Sequence, residues 1–378
     1  MKILHIVPSY KPAYIYGGPI ESVSKLCEGL AAQGHEVDVY TTTANGETEL
    51  DMVPGSMFEV DGVNVTYFKR ITKDPTHVSP DLWKELYRTV NLYDIVHIQS
   101  WWNILVVMAA CICHIKGVKV VIAPRGMLSK YIFETGNTKM KKMIHYTAGK
   151  WALSKCWYHA TAVSEAEECE QIIKGWKGFT APNILTLPDL PIKRQKNEVF
   201  TLIFLSRIHP KKGIEILLQA VSQLQFPVIL KIAGSGEEEY IQQLKDLAAE
   251  LGITEKVVWV GWLDREHKFK ELMHSDLFTL VSLNENFANV VVESLHMGTP
   301  VLLSEDVGLA EFVRKHDQGW ISSLEVADVA VKITAAYQDK DKRTRISEQG
   351  RVVIEANFSA DKLIRDYVSA YQTIIDTH

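Results

Sequence analysis

Short apolar runs and stretches of helical periodicity alternate along the whole of this chain, a pattern that folds as parallel sheets covered by helices. In the first half the runs predict strands at residues 3–7, 36–41, 63–68, 95–99, 118–123 and 158–163, with helices between them. In the second half they predict strands at 200–206, 228–233, 256–260, 277–283 and 301–304. A chain of 378 residues is too long for one hydrophobic core, so two domains are expected. Pro188 and Pro191, followed by a charged run to Asn197, mark the linker between them. The domains are therefore read as 1–190 and 198–359. A last helix at 360–378 carries Leu363, Tyr367, Ala370, Tyr371 and Ile374 as one apolar stripe.

Composition narrows the function classes. The chain is 47% hydrophobic and 23% charged, which suits globular sheets and gives no sign of disorder. A net charge of −5 argues against general nucleic-acid binding, which needs a basic surface. The five cysteines form an odd set without CxxC spacing, so neither a disulfide framework nor a zinc site is expected, and a reducing cytoplasm fits best. The apolar start is too short for a signal peptide and no apolar run reaches the roughly 20 residues that span a bilayer. Any membrane contact is then peripheral.

Two segments in the second half carry chemistry. The stretch from Leu283 to Pro300 holds Glu285 in a loop after a strand and Glu293 about one turn into a helix. Between them, Phe287, Ala288 and Asn289 lie where first-turn N–H groups and the helix dipole favour a diphosphate. Glu293 is placed to accept from ribose hydroxyls, and Glu285 to reach a sugar beyond the phosphates. Upstream, Arg207 stands at the carboxyl edge of a strand and Lys212-Gly213 opens the next helix. A planar guanidinium fork beside a compact ammonium suits a departing diphosphate.

These residues resemble the retaining glycosyltransferases of family 4. That family's signature is an Arg, five residues on a Lys-Gly, then Glu-x7-Glu with Phe-Gly inside it, and Gly-x-Pro-Val after. The chain supplies Arg207, Lys212-Gly213, Glu285, Phe287, Glu293 and Gly298-Thr-Pro300-Val301, and the likeness covers essentially its whole length. One departure is Ala288, where the family usually has Gly; if φ is positive there, alanine is strained. The resemblance implies an α/β fold of the GT-B kind, with two facing Rossmann-like domains and a C-terminal helix crossing back to the N-terminal domain. It implies that the N-terminal domain binds the acceptor and the C-terminal domain a nucleoside-diphosphate sugar of UDP or GDP type. It also implies retaining transfer to a hydroxyl of a glycan or lipid-linked acceptor, as in cell-surface polysaccharide or lipopolysaccharide assembly. No metal and no cofactor are expected, because Arg and Lys replace the metal. Glu285 would orient the sugar and stabilise charge, or act as a transient nucleophile.

In the first half, Gly17-Gly18 follows the first strand and opens a helix, like the family's glycine loop that reaches toward the donor diphosphate. It lacks the G-x-G-x-x-G pattern of dinucleotide-binding folds. His97 and Arg125 stand near carboxyl ends of parallel strands, where such sheets place ligands. Much of the family has a His near residue 123 that touches the donor sugar; here Pro124-Arg125-Gly126 stands instead. Arg125 is expected to bind an acidic sugar, an acceptor phosphate or the departing diphosphate. His97, Tyr16, Trp101 and Trp102 are candidates for contact with an acceptor sugar. Gly234 and Gly261 follow strands and resemble the loops shaping the family's nucleobase pocket. Lys139, Lys141, Lys142, Lys150 and Trp151 make a basic, aromatic stretch suited to the inner face of a membrane. Three alternatives share these features: a sugar-nucleotide isomerase, a phosphorylase, or a non-catalytic nucleotide-sugar-binding protein.

Overall fold

A computed structural model describes residues 1–135, 149–191 and 197–377. The chain divides into two compact units, one of Met1–Thr186 with Phe358–His378 and the other of Leu187–Asn357. In the first unit the strands are β1 (Lys2–Ile6), β2 (Glu36–Thr42), β3 (Ala44–Asn45), β4 (Thr48–Glu49), β5 (Met57–Val60), β6 (Val63–Phe68), β7 (Ile95–Gln99), β8 (Val120–Ala123), β9 (Trp157–Ala160) and β10 (Gly178–Thr180). Eight of them form one sheet in the order β10-β9-β8-β7-β1-β2-β6-β5, and β3 and β4 make a small hairpin. The second unit contributes β11 (Phe200–Leu205), β12 (Val228–Ala233), β13 (Val257–Gly261), β14 (Leu277–Leu280), β15 (Val301–Ser304) and β16 (Gly319–Ser322). Their order is β13-β12-β11-β14-β15-β16, parallel throughout.

The predicted strands are all present, and the structure adds those that are short or lie at edges. β5 pairs antiparallel with β6 across Asp61-Gly62, whose φ values are 51° and 79°. That is the Asp-Gly signature of a tight hairpin, a signal present in the sequence and passed over. β10 and β16 are edge strands of three and four residues, too short to carry periodicity. The run predicted at 277–283 ends as a strand at Leu280, because Ser282 and Leu283 turn to bond the Lys211 carbonyl at 2.8 and 2.9 Å.

Both sheets have a point where chain order reverses, between β1 and β7 in the first and between β11 and β14 in the second. Crevices at the carboxyl ends of such strand pairs are where open parallel sheets bind ligands.

The helix Ala360–Asp376 packs on the first unit. Leu363, Ile364, Tyr367, Tyr371 and Ile374 enter the core with Val23, Leu26 and Leu30 of the helix Gly18–Ala32. Of the expected stripe, Ala370 is only half-buried, and Ile364 takes the extra place. Gly29 allows this approach: a Cβ there would lie 2.4 Å from Ile364 Cδ1.

Candidate functional site

In the second unit the expected residues gather on both sides of the sheet's reversal point. Pro210–Lys212 forms one 3-10 turn, and Gly213, with φ 65°, passes the chain into the helix Ile214–Ser222. A Cβ on Gly213 would lie 2.1 Å from the Val281 carbonyl oxygen, so only glycine lets the loop after β11 lie against the segment after β14. This contact brings Lys212 to Glu285, and the two form an ion pair from opposite sides of the reversal point. Glu285 is itself clamped by its backbone, donating to the Asp306 carbonyl at 2.9 Å and accepting from Gly308 N–H at 2.7 Å. Arg207 is exposed just past β11. The positive field here is visible at His209, whose pKa is lowered by burial and then by Arg207, Lys211 and Lys212.

Glu293 lies on the helix Asn289–His296, which starts beside this pair in sequence. It is 6% exposed, and its carboxylate accepts from Lys268 Nζ at 2.6 Å. Sequence reading missed Lys268. It sits in the run Asp264-Arg-Glu-His-Lys-Phe-Lys270, which reads as a solvated helix face, and only its neighbour Phe269 is buried there. Phe287 is buried, Ala288 is the residue just before the helix and Asn289 is its first residue.

Ala288 has φ 67° and ψ 75°, the left-handed conformation that the family's usual glycine adopts without cost. Ala288→Gly is expected to raise unfolding free energy by about 0.5–1 kcal/mol, strain relief outweighing the added freedom of the unfolded chain. Urea titration of the two proteins measures it; a less stable variant would mean the loop is unstrained.

Gly234 and Gly261 adjoin this site, with Gly234 N–H donating to the Gly261 carbonyl at 2.8 Å. Gly234 has φ 139°, and a Cβ on it would meet the Ser206 carbonyl oxygen at 1.9 Å. The loops after β11, β12 and β13 therefore stack edge to edge, and Trp262 projects from the last of them, 73% exposed.

In the first unit, Gly17 has φ 73° and precedes the helix Gly18–Ala32, as its position required. Tyr16 lies at the same turn, its hydroxyl accepting from Gly46 N–H at 2.9 Å. Arg125 follows β8, its guanidinium bonded to Gln99 and Asn183. His97 and Trp101 are corrected. Trp101 is fully buried, its ring packed in the apolar core, and Trp102 is half-buried with its ring N–H given to the Met127 carbonyl.

His97 is fully buried in a seam with His5 and His159, on β1, β7 and β9. Its hydrogen bonds fix the tautomers. His159 Nε2 faces the Ala181 carbonyl at 2.9 Å and so must donate, leaving Nδ1 to accept from His97 Nε2 at 3.3 Å. His97 Nδ1 in turn accepts from the Tyr371 hydroxyl at 2.7 Å. Burial pushes His5 and His159 down to about 3, and holds His97 well below the usual histidine range. This neutral chain ties the C-terminal helix to the sheet, which is a structural role.

Lys150 and Trp151 lie on the short helix Lys150–Ser154, with the Trp151 ring against His114 at 4.8 Å. Lys139, Lys141 and Lys142 fall outside the described residues. No helix among the described residues is long and apolar enough to cross a membrane.

Family profiles match both halves of the chain. The profile of glycosyl transferases group 1 matches residues 189–353, and that of glycosyltransferase family 4 matches residues 16–173. The chain belongs to the group 1 glycosyltransferases. An uncharacterised glycosyltransferase of Methanocaldococcus jannaschii is 25% identical to it, across 100% of this chain and 99% of that relative. The lipopolysaccharide core biosynthesis glycosyltransferase LpsE of Rhizobium meliloti is 32% identical, across 43% of this chain and 47% of LpsE. Among solved structures, HepE of Anabaena in complex with UDP and glucose aligns with TM-score 0.75 at 18% identity, over 99% of this chain and 100% of HepE. The sucrose-phosphate synthase of Thermosynechococcus elongatus aligns with TM-score 0.75 at 17% identity, over 99% of each chain. This group 1 glycosyltransferase thus has two Rossmann-like domains of the GT-B fold.

Proposed function

We propose that this glycosyltransferase moves a sugar, with retention of configuration, from a nucleoside-diphosphate sugar to a hydroxyl of a glycan or lipid-linked acceptor. The observation that carries the reading is the Lys212–Glu285 pair straddling the reversal point of the second sheet, beside the helix Asn289–His296. The structure of HepE with UDP and glucose supports the donor class, and the lipopolysaccharide assignment of LpsE supports an acceptor in cell-surface polysaccharide assembly. Work at the inner face of a membrane, with Lys150 and Trp151 toward the lipid, belongs to the same reading.

In this reading the second unit holds the donor. Lys212 and Arg207 stabilise the diphosphate as its bond to the anomeric carbon breaks, in the role a divalent metal plays elsewhere, and no further cofactor takes part. The acceptor oxygen bonds to the same face of that carbon, and its proton passes to the departing diphosphate oxygen. Glu285, held at a fixed angle by its backbone clamp, orients the sugar and offsets positive charge on the ring. Glu293 takes the ribose hydroxyls, and Lys268 keeps its carboxylate turned in a fixed direction. Gly234, Gly261 and their loops border the base.

Thermal-shift titration with UDP, GDP and ADP sugars tests this. Wild type is expected to be stabilised by one nucleotide class, by about 2–3 kcal/mol at a hundredfold excess over Kd, and Glu293→Gln to lose most of that shift. No stabilisation of folded wild type by any sugar nucleotide would overturn the reading.

A further inference from the structure

The first unit holds a cation with no counter-ion among the described residues, at the carboxyl ends of β7 and β8. Arg125 Nε and one terminal nitrogen both donate to Gln99 Oε1, at 3.0 and 2.9 Å, and the other terminal nitrogen donates to Asn183 Oδ1. These partners are neutral amides, and among the described residues no carboxylate pairs with Arg125. Glu165, buried nearby in the same unit, is already occupied. Its oxygens accept from Gly126 N–H at 2.6 Å and from the N–H and hydroxyl of Thr161 at 2.7 and 3.1 Å.

Donors are left over. A guanidinium has five N–H bonds, of which the structure uses three. Gln99 is 2% exposed, and since its Oε1 serves Arg125, its Nε2 is the remaining end of the carboxamide and has no partner among the described residues. A buried amide nitrogen left without an acceptor is uncommon in a folded protein. The backbone around the cluster adopts a conformation that non-glycine residues avoid: Ser100 has φ 74°, Trp102 56° and Arg125 57°. Three such residues stand at two neighbouring strand ends, and conformations of this kind cluster at binding sites in folded proteins.

We propose that Arg125, Gln99 and Asn183 form a receptor for one oxyanion, a carboxylate or phosphate carried by the acceptor. The groups left over on Arg125 and Gln99 are donors and the cluster carries the guanidinium charge, so the complementary group accepts and is negative. The planar fork favours two oxygens over one. The amides hold the fork in place without neutralising it, and an Asp or Glu in their position would have filled the site from within. The inference rests on the transferase reading for its substrate and deepens it: the acceptor is acidic.

Binding of three probes to the full chain tests it: glucuronate, glucose 6-phosphate and neutral glucose, with UDP as a separate probe of the donor site. Wild type is expected to bind one or both acidic sugars and to bind glucose at least about tenfold more weakly. The preferred acid tells carboxylate from phosphate. Arg125→Gln is expected to weaken the acidic probe about tenfold or more with UDP affinity unchanged. Gln99→Glu supplies an internal counter-ion for Arg125, so it keeps the fold and is expected to abolish the same binding. Equal affinity for acidic and neutral sugars, or undiminished acid binding in Gln99→Glu, would overturn the proposal. So would a parallel loss of UDP, which would assign Arg125 to the donor. Absence of UDP binding in wild type with Arg125-dependent acid binding intact would instead remove the donor reading and leave the receptor.

Discussion

Lys212→Met is expected to cut glycosyl transfer by a factor on the order of 10²–10³, the loss seen when one fixed donor to a developing anion is removed. The side chain is mostly buried, so its charge acts in a poorly screened setting, and its position is fixed by the Glu285 carboxylate across the reversal point of the sheet. The methionine fills similar volume without charge. Nucleoside diphosphate should still bind, through the glycine loops and Glu293, so the fall should lie mainly in kcat. Glu285→Gln is expected to be severe as well, and the double variant to lose less than the product of the two, because each single change already breaks the same pair. Initial rates of nucleoside-diphosphate release, with circular dichroism to verify folding, measure all three. Lys212→Met retaining activity within about threefold of wild type would remove Lys212 from the reaction.

The second large effect concerns pH. His5, His97 and His159 lie fully buried and neutral, and burial is the first cause of each lowered pKa, with repulsion from Arg125 and from one another adding to it. In the unfolded chain they take up protons near pH 6.5, whereas in the folded chain His5 and His159 resist to about 3. The folded state thus binds fewer protons throughout that window. Its stability is complete above about pH 6.5 and falls as pH drops, by up to about 1.4 kcal/mol per pH unit for each histidine. Three together would cost about 4 kcal/mol per unit, enough to consume much of a typical 5–15 kcal/mol within two or three pH units. Protonation also breaks the chain of bonds: a charged His97 would present N–H groups to both the Tyr371 hydroxyl and His159, and His159 an N–H to His97. The neighbours at the seam are Tyr367, Tyr371 and Phe179, none of them a carboxylate able to stabilise the charge. Release of the C-terminal helix should therefore accompany acid unfolding.

His5 offers the sharpest variant, because neither ring nitrogen has a partner among the described residues and no hydrogen bond to them is lost on replacing it. His5→Leu is expected to lower the slope of stability against pH by about 1.4 kcal/mol per unit below pH 6. Urea unfolding followed across a pH series measures the slope. An unchanged slope would mean that His5 is already solvated or charged.

Much of this was legible in one dimension. The alternation of apolar runs with helical periodicity dictated two parallel sheets, since strands buried on both faces must be apolar throughout and their crossovers must be helical. The places of Arg207, Lys212, Glu285 and Glu293 beside strand ends and helix starts were legible for a related reason: such positions keep fixed distances from the apolar runs that set them. Gly17 and Ala288 could be read as backbone positions, because a positive φ is a local property that the residue type either fits or strains against.

What only the tertiary structure decided is which side chains meet. Lys268 found Glu293, and Lys212 found Glu285, because helix packing and a glycine contact at Val281 closed gaps of 25 and 73 residues. His97, at a strand end, could face ligand or core, and the sequence does not encode which face a neighbouring helix covers. The helix Ala360–Asp376 covered it, and Tyr371 turned a candidate ligand contact into part of the core. Arg125 went the other way, left with amides where a carboxylate would have silenced it. Periodicity and spacing act along the chain and are written in it, whereas pairing and burial depend on residues brought together from distant parts of the chain.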